Sequence, residues 1–347
     1  MREIVIVIAD VYLPPAAAEA GSAAAALFHN VPGIEYAGRF GARAALAGGW
    51  REWLAEWLGR ADLVGVAPAC IAAAAIGAAA TPRSNATSWI ATAVHLSAGL
   101  TRVHLDHRGI LRLPRAQQNT LAADFTHVFG SSGHELTPLP SGDFLLTTPG
   151  ITAVPTTEPA RCAGGEVAHG LPQGTAAGPL RRLLAEIEMW LHGQALNDAR
   201  RAQGTLPVTA LWLWGAAGQR LQPQVRPAPA TERCFGRDAY LNGLCHLQGS
   251  TCRGLPQGLA EALADGDAPR VILVLEAGGE LHGGFQGTVA EAVAQLDSRF
   301  VSPALRALRR GECANLTLII NDTRVTMRRT SALRRWRRSR AGLGAFA

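Results

Sequence analysis

The chain of 347 residues is 48% hydrophobic and 17% charged, a globular composition that is long for one domain and allows two. Its apolar runs are interrupted by Gly, Pro or charge short of a membrane span, and its first residues enter a strand at once, so neither a transmembrane segment nor a secretory signal is expected and the expected location is cytoplasmic. The formal charge of +6 is concentrated in one place: eight arginines and no acid lie between Arg324 and Arg340, against 25 basic and 27 acidic residues elsewhere, so the chain reads as a near-neutral body with a basic tail.

Lysine is absent and every basic side chain is Arg. The six cysteines are spread widely without short paired spacing and read as reduced thiols. Ile4 to Ile8 is an unalternating apolar run, which predicts a strand covered on both faces. Asp10 follows at its carboxyl end, either as a metal or phosphate-site residue or as a cap or turn residue. Ala16–Phe28 and Ala42–Leu58 read as helices, and Trp50, Trp53 and Trp57 recur in the second at spacings that imply packing. Ala61–Ala67 reads as a second strand. Cys70, in the alanine-rich segment after it, is either a nucleophile or a buried thiol. A polar turn at Thr81–Ala86 is expected to lead into a helix through Trp89.

Strands are predicted at Thr101–Leu105, Ile110–Leu113 and Asp143–Thr147, with a helix over Ala116–Phe129. The stretch Thr148–Gly178, rich in Pro, Gly, Thr and Ala, is expected to be a linker or long loop. Residues 101–178 therefore read as a small inserted α/β subdomain. His95, His104, His107, His127 and His134 lack metal-ligand spacing and read as structural or surface residues. Leu180–Gln203 is the strongest helical pattern, with a break or kink expected near Gly193, and a strand follows over Val208–Trp214. Asn197, Arg200 and Arg201 near the helix end are possible anion-binding groups, or else a solvated helix face. Cys234, Cys245 and Cys252 are too loosely spaced for a zinc knuckle.

Helices are expected at Asp238–Leu247, Pro256–Leu263 and Thr288–Leu308, the last kinked or broken at Pro303. Between them Val271–Leu275 is another doubly covered strand, closed by Glu276 and a glycine turn carrying Glu280 and His282. Leu316–Ile320 is a further buried strand ending in Asn321-Asp322-Thr323. Ligands of open α/β sheets bind beyond the carboxyl ends of strands. Asp10, Glu276, Glu280, His282 and Asp322 thus form the candidate polar crevice, with carboxylates and imidazole of the kind a divalent metal takes.

Three segments in this order resemble the archaeal-type, cofactor-independent phosphoglycerate mutases of the alkaline phosphatase superfamily: NDARRAQGTLPVTALWLWGAAG (197–218), VLEAGGELHG (274–283) and LIINDTR (318–324). The chain is more similar still to uncharacterised bacterial relatives of those mutases, some labelled as regulatory proteins. They share the WLWG segment, the FGSSGHELTPLPSGDFLL segment and the Arg/Trp-rich carboxyl end. The resemblance implies an alkaline-phosphatase-like α/β core with a mostly parallel central sheet flanked by helices. That core would be formed by residues 1–100 and 179–330, with the 101–178 insertion and a basic segment at 331–347.

Working enzymes of the superfamily hold two divalent metals with Asp and His ligands and transfer phosphoryl through a Ser or Thr. By that pattern Asp10 matches the first metal-binding Asp, while Gly279 stands where the next Asp would be. His282 matches with a one-residue slip, Asp322 remains, and Thr323 replaces a His. The nucleophile motif has no counterpart; Ser84, Thr87 and Cys70 stand in its region. The resemblance thus implies a degenerate metal site, with Asp10, His282 and Asp322 as weak metal candidates, and a binding or regulatory role with no cofactor expected. The alternative is a metal-dependent phosphatase or mutase with a rearranged site holding Mn or Zn. At the carboxyl end Arg334, Arg335, Arg337 and Arg338 surround Trp336. This segment either folds back on the body or contacts an acidic protein partner, with nucleic acid or an anionic membrane surface as further polyanions.

Overall fold

The computed structural model describes residues 2–12, 27–77, 86–99, 102–217, 224–226, 232–264, 266, 268–282 and 287–334. In chain order, β1 (Arg2–Ile8), α1 (Pro32–Phe40), β2 (Ala42–Ala45) and α2 (Gly49–Trp57) precede α3 (Pro68–Ala74). The long strand β3 (Ala86–Ala98) follows, then β4 (Val103–Ile110), α4 (Arg115–Phe129), β5 (Glu135–Pro138), β6 (Phe144–Pro149) and β7 (Gly165–Glu166). Next come α5 (Gly178–His192), α6 (Ala195–Ala202), β8 (Ala210–Ala217), β9 (Glu232–Phe235), α7 (Ala239–Leu247), β10 (Cys252–Arg253) and α8 (Leu259–Ala264). The chain closes with β11 (Arg270–Leu275), α9 (Ala277–His282), α10 (Val289–Leu296), α11 (Ser302–Arg310), β12 (Cys313–Ile320) and β13 (Thr323–Arg328).

Two compact units result: Met1–Gly65 with Pro227–Arg237 and Gly249–Ala347, and Val66–Arg226 with Asp238–Gln248. The first carries a seven-stranded mixed sheet in the order β10-β9-β11-β1-β12-β13-β2. Its five strands from β10 to β12 run parallel, and the β12–β13 hairpin and β2 add an antiparallel edge. Both faces of the centre are covered, as the unalternating apolar runs require. Ile4, Ile6 and Ile8 share a core with residues of α1, α10 and α11. Val5, Val7, Ile272 and Val274, on the alternate positions, are no more than 1% exposed. Thr288 caps α10 in a capping box with Glu291. A π-turn over Asp297–Val301 joins α10 to α11, whose first turn holds Pro303, so the expected break takes the form of a bulge in a continuing helix.

The second unit is built on an antiparallel sheet in which β3 pairs with β4, β6 and β8. Trp89, Ala91 and Ala93 pack with residues of α4 and α5, whereas Ile90 and Val94 pack with Ala69 and Ala72 of α3 and with Ala239 of α7. Helices thus cover both faces of β3. Phe125, Phe129 and Trp190 meet with ring centroids 4.6 to 5.7 Å apart, joining α4 to α5. Gly243 of α7 sits so close to α3 that a Cβ there would lie 1.8 Å from the Ile71 carbonyl oxygen.

Several expectations are corrected. Residues 61–67 form a 3-10 helix at Ala61–Leu63 and then a turn, because Gly65 is left-handed (φ +74°) and breaks the extended run. The helix expected through Trp89 is the central strand β3, whose Thr, Ile and Val positions suit a pleated, doubly packed surface better than its alanines suit a helix. Residues 42–45 open the expected second helix as the edge strand β2. The strand expected over Ile110–Leu113 ends at Ile110, the last residue of β4. Segments 86–98 and 179–217, read from sequence as core, hydrogen-bond or pack with the second sheet, so the two compact units divide the chain differently from a 101–178 insertion. Most of the helix expected at Ala16–Phe28 lies outside the described residues.

Candidate functional site

Three parallel strands of the first unit, β1, β11 and β12, end level with one another. Ile8 pairs with Leu275 on one side and with Ile320 on the other, so the residues after these three strands leave the sheet together. That register brings Asp10, Glu276 and Asn321-Asp322 to one edge of the sheet.

The acids there are engaged by protein groups. Asp10 is 8% exposed and its two oxygens accept from the backbone N–H groups of Ala277 and Gly278, each at 2.7 Å. These are the unpartnered first amides of α9, and a carboxylate there is favoured by hydrogen bonding and by the helix dipole. The glycine turn expected after Glu276 is therefore a helix, started by an acid 267 positions away in sequence. Asn321, left-handed at φ +52°, opens the tight turn between β12 and β13. Its backbone N–H donates to Ile8 O and its side-chain oxygen accepts from Val11 N, tying β1 to the hairpin. Asp322 accepts from the Tyr12 hydroxyl at 3.3 Å. Glu280 pairs with Arg299 at 2.7 Å, and Arg299 also donates to Gln257 O and Pro256 O. Glu276 is half-buried; the His282 side chain lies outside what is described.

The donor set does not fit a two-metal centre. Asp10 is held by amides, position 279 has no side chain, and Thr323 is a strand residue paired with Ile320 and Ala45. Among the described residues no three His, Cys, Asp or Glu groups are arranged to hold a metal ion. Of the residues in the nucleophile's region, Cys70 is buried in α3 and Thr87 donates to Ile151 O, while Ser84 lies outside the described residues.

In the second unit Asn197 and Arg200 are internal struts. The Asn197 amide donates to Leu191 O and Val208 O, and its oxygen accepts from Val208 N, all within 2.8 Å. Arg200 donates to Leu206 O and Gln117, and burial lowers its guanidinium from its ordinary value. Arg201 is exposed and pairs with Asp198. The separate basic segment is described only as far as Arg334; Arg335, Arg337 and Arg338 lie outside the described residues.

Sequence reasoning passed over two buried acids. Asp297, 1% exposed, accepts from Gly33 N, Ile34 N and Ser302 Oγ, and burial pushes its carboxyl up despite those bonds. It lies beside an open cleft of about 590 Å³ whose rim includes Asn30, Glu291, Gln295 and Arg306. Asp143 pairs with Arg112 at 2.6 Å and accepts from Ser141 Oγ, next to Gln118, which donates to two backbone carbonyls. The sequence signal for both was an isolated acid in an apolar setting, which implies a partner without naming it.

No family model and no curated protein matches the chain. Among solved structures it is similar to a cofactor-independent phosphoglycerate mutase from Thermoplasma acidophilum, at 14% identity and TM-score 0.37, over 94% of this chain and 90% of the other. It is also similar to the PH0037 protein from Pyrococcus horikoshii, at 11% identity and TM-score 0.46, over 94% and 87% of the two chains.

Proposed function

We propose that this chain is a phosphoglycerate-mutase-like protein with a degenerate metal site, acting by binding or regulation rather than by phosphoryl transfer. One observation carries the reading: both oxygens of Asp10, the acid that motif resemblance puts first among the metal ligands, accept backbone amides of α9 at 2.7 Å. A metal at Asp10 would compete with the bonds that start that helix. Glu280 and Asp322 are likewise engaged with Arg299 and Tyr12.

The test is metal content after purification and dialysis against Mn²⁺ or Zn²⁺, together with phosphatase and mutase assays, on wild type, Asp10→Ala and Asp322→Ala. The expected result is no stoichiometric metal, no turnover and no change between the proteins. Two tightly held ions that disappear in either variant would overturn the reading in favour of a metal-dependent phosphatase or mutase with a rearranged site.

A further inference from the structure

Cys234 and Cys252 stand side by side on β9 and β10, as direct partners in a parallel ladder. Neighbouring strands lie about 4.8 Å apart and partnered residues point to the same face. That spacing falls within the Cα separation a disulfide accepts, about 4.4–6.8 Å. The Cys252 thiol donates to Gly236 O, just past the end of β9, at 3.3 Å and lies 3.8 Å from Arg253 O of its own strand. Both residues are reduced thiols; Cys234 is 3% exposed and Cys252 is half-buried. β10 is a two-residue strand at the end of its sheet order, the place where a ladder shifts most easily. An inward movement of about 1 Å takes the Cβ atoms from strand spacing to disulfide spacing.

We propose that Cys234 and Cys252 are a peroxide-sensitive thiol pair that closes to a disulfide across β9 and β10. In the first step the Cys252 sulfur attacks hydrogen peroxide; the O–O bond breaks, giving the sulfenic acid and water. In the second the Cys234 sulfur displaces the hydroxyl group from the Cys252 sulfur, forming the S–S bond and a second water. Two thiols are oxidised by two electrons and one peroxide is reduced to two waters. A dithiol reductant reverses the bridge by thiol–disulfide exchange. Cys313, in the same unit, is the contrast: it is 1% exposed, and burial with the neighbouring Glu312 pushes its thiol up to about 11, which keeps it protonated and inert. The bridge encloses residues 238–248, the stretch by which the chain leaves the first unit and returns to it. This inference is independent of the proposed function.

The experiment treats the native full-length protein with hydrogen peroxide, then alkylates under denaturing conditions and maps tryptic peptides without reduction. Two of the six thiols are expected to resist alkylation and to recover with dithiothreitol. The peptide Cys234–Arg237 should be joined to Asp238–Arg253, and fragmentation should place the link on Cys252. Cys245→Ser should keep the link and Cys252→Ser should abolish it. The proposal is overturned if all six thiols still alkylate, if Cys252 oxidises alone to sulfinic or sulfonic acid, or if the link maps to Cys245.

Discussion

Asp10 shows how one residue's position at a strand end leaves its chemistry undecided. An acid after a buried strand serves a metal, a phosphate site or a helix start, and the local residues are the same in each case. The structure puts two amide donors on it. Asp10→Ala should therefore act on stability: loss of two charge-assisted bonds at a helix start costs about 2 kcal/mol, read from urea denaturation. Asp10→Asn, with one acceptor left, should lose roughly half of that. A variant as stable as wild type would show that these bonds do not hold α9. Asn197 makes the same point in the second unit. Three internal hydrogen bonds make Asn197→Ala a loss of about 3 kcal/mol, with buried groups of Leu191 and Val208 left unmatched. An anion-binding role alone would leave stability unchanged.

Among the elements, those with strong periodicity were legible and those defined by their neighbours were not. The helices at 115–129 and 178–192, with the interruption at Gly193, follow from apolar stripes and breakers close to where they were expected. β3 was misread because its alanines imitate a helix while its packing on both faces favours a strand. The expected glycine turn at 278–284 is helical over Ala277–His282 because the cap comes from Asp10, just past the end of β1 and outside any local window. The contact between α3 and α7 is a second case, since only the fold brings Gly243 against the Ile71 carbonyl. Gly243→Ala should lower stability by about 3 kcal/mol through overpacking, whereas Gly254→Ala, with open space around it, should be nearly neutral. Equal effects at both positions would contradict the packing.

For the molecule as a whole, pH is a direct probe of the second unit. Burial lowers His107 and His134 from their ordinary value of 6.5, partly offset by Asp106 and Glu186. Between the lowered value and 6.5 the unfolded chain binds protons that the folded chain does not, so stability is full above that range and falls as pH drops through it. Urea midpoints at about pH 7.5 and about pH 5.5 should therefore differ, and the difference should shrink in a His107→Gln/His134→Gln protein. An unchanged difference would assign the acid sensitivity to other groups. Among the described residues no helix is long and apolar enough to cross a membrane.

From residue order alone come the buried strands β1, β11 and β12, the acids at their carboxyl ends and the principal helices, because apolar runs and periodicity are local properties. Tertiary structure decided which sheet each strand joins, since β3 and β8 carry apolar runs that fit either sheet until hydrogen-bond partners are assigned. It also decided which backbone groups Asp10 accepts from. Whether Asp10 faces a metal or the first amides of a helix depends on how the chain returns to it 267 residues later, and no property of the residues around Asp10 contains that choice.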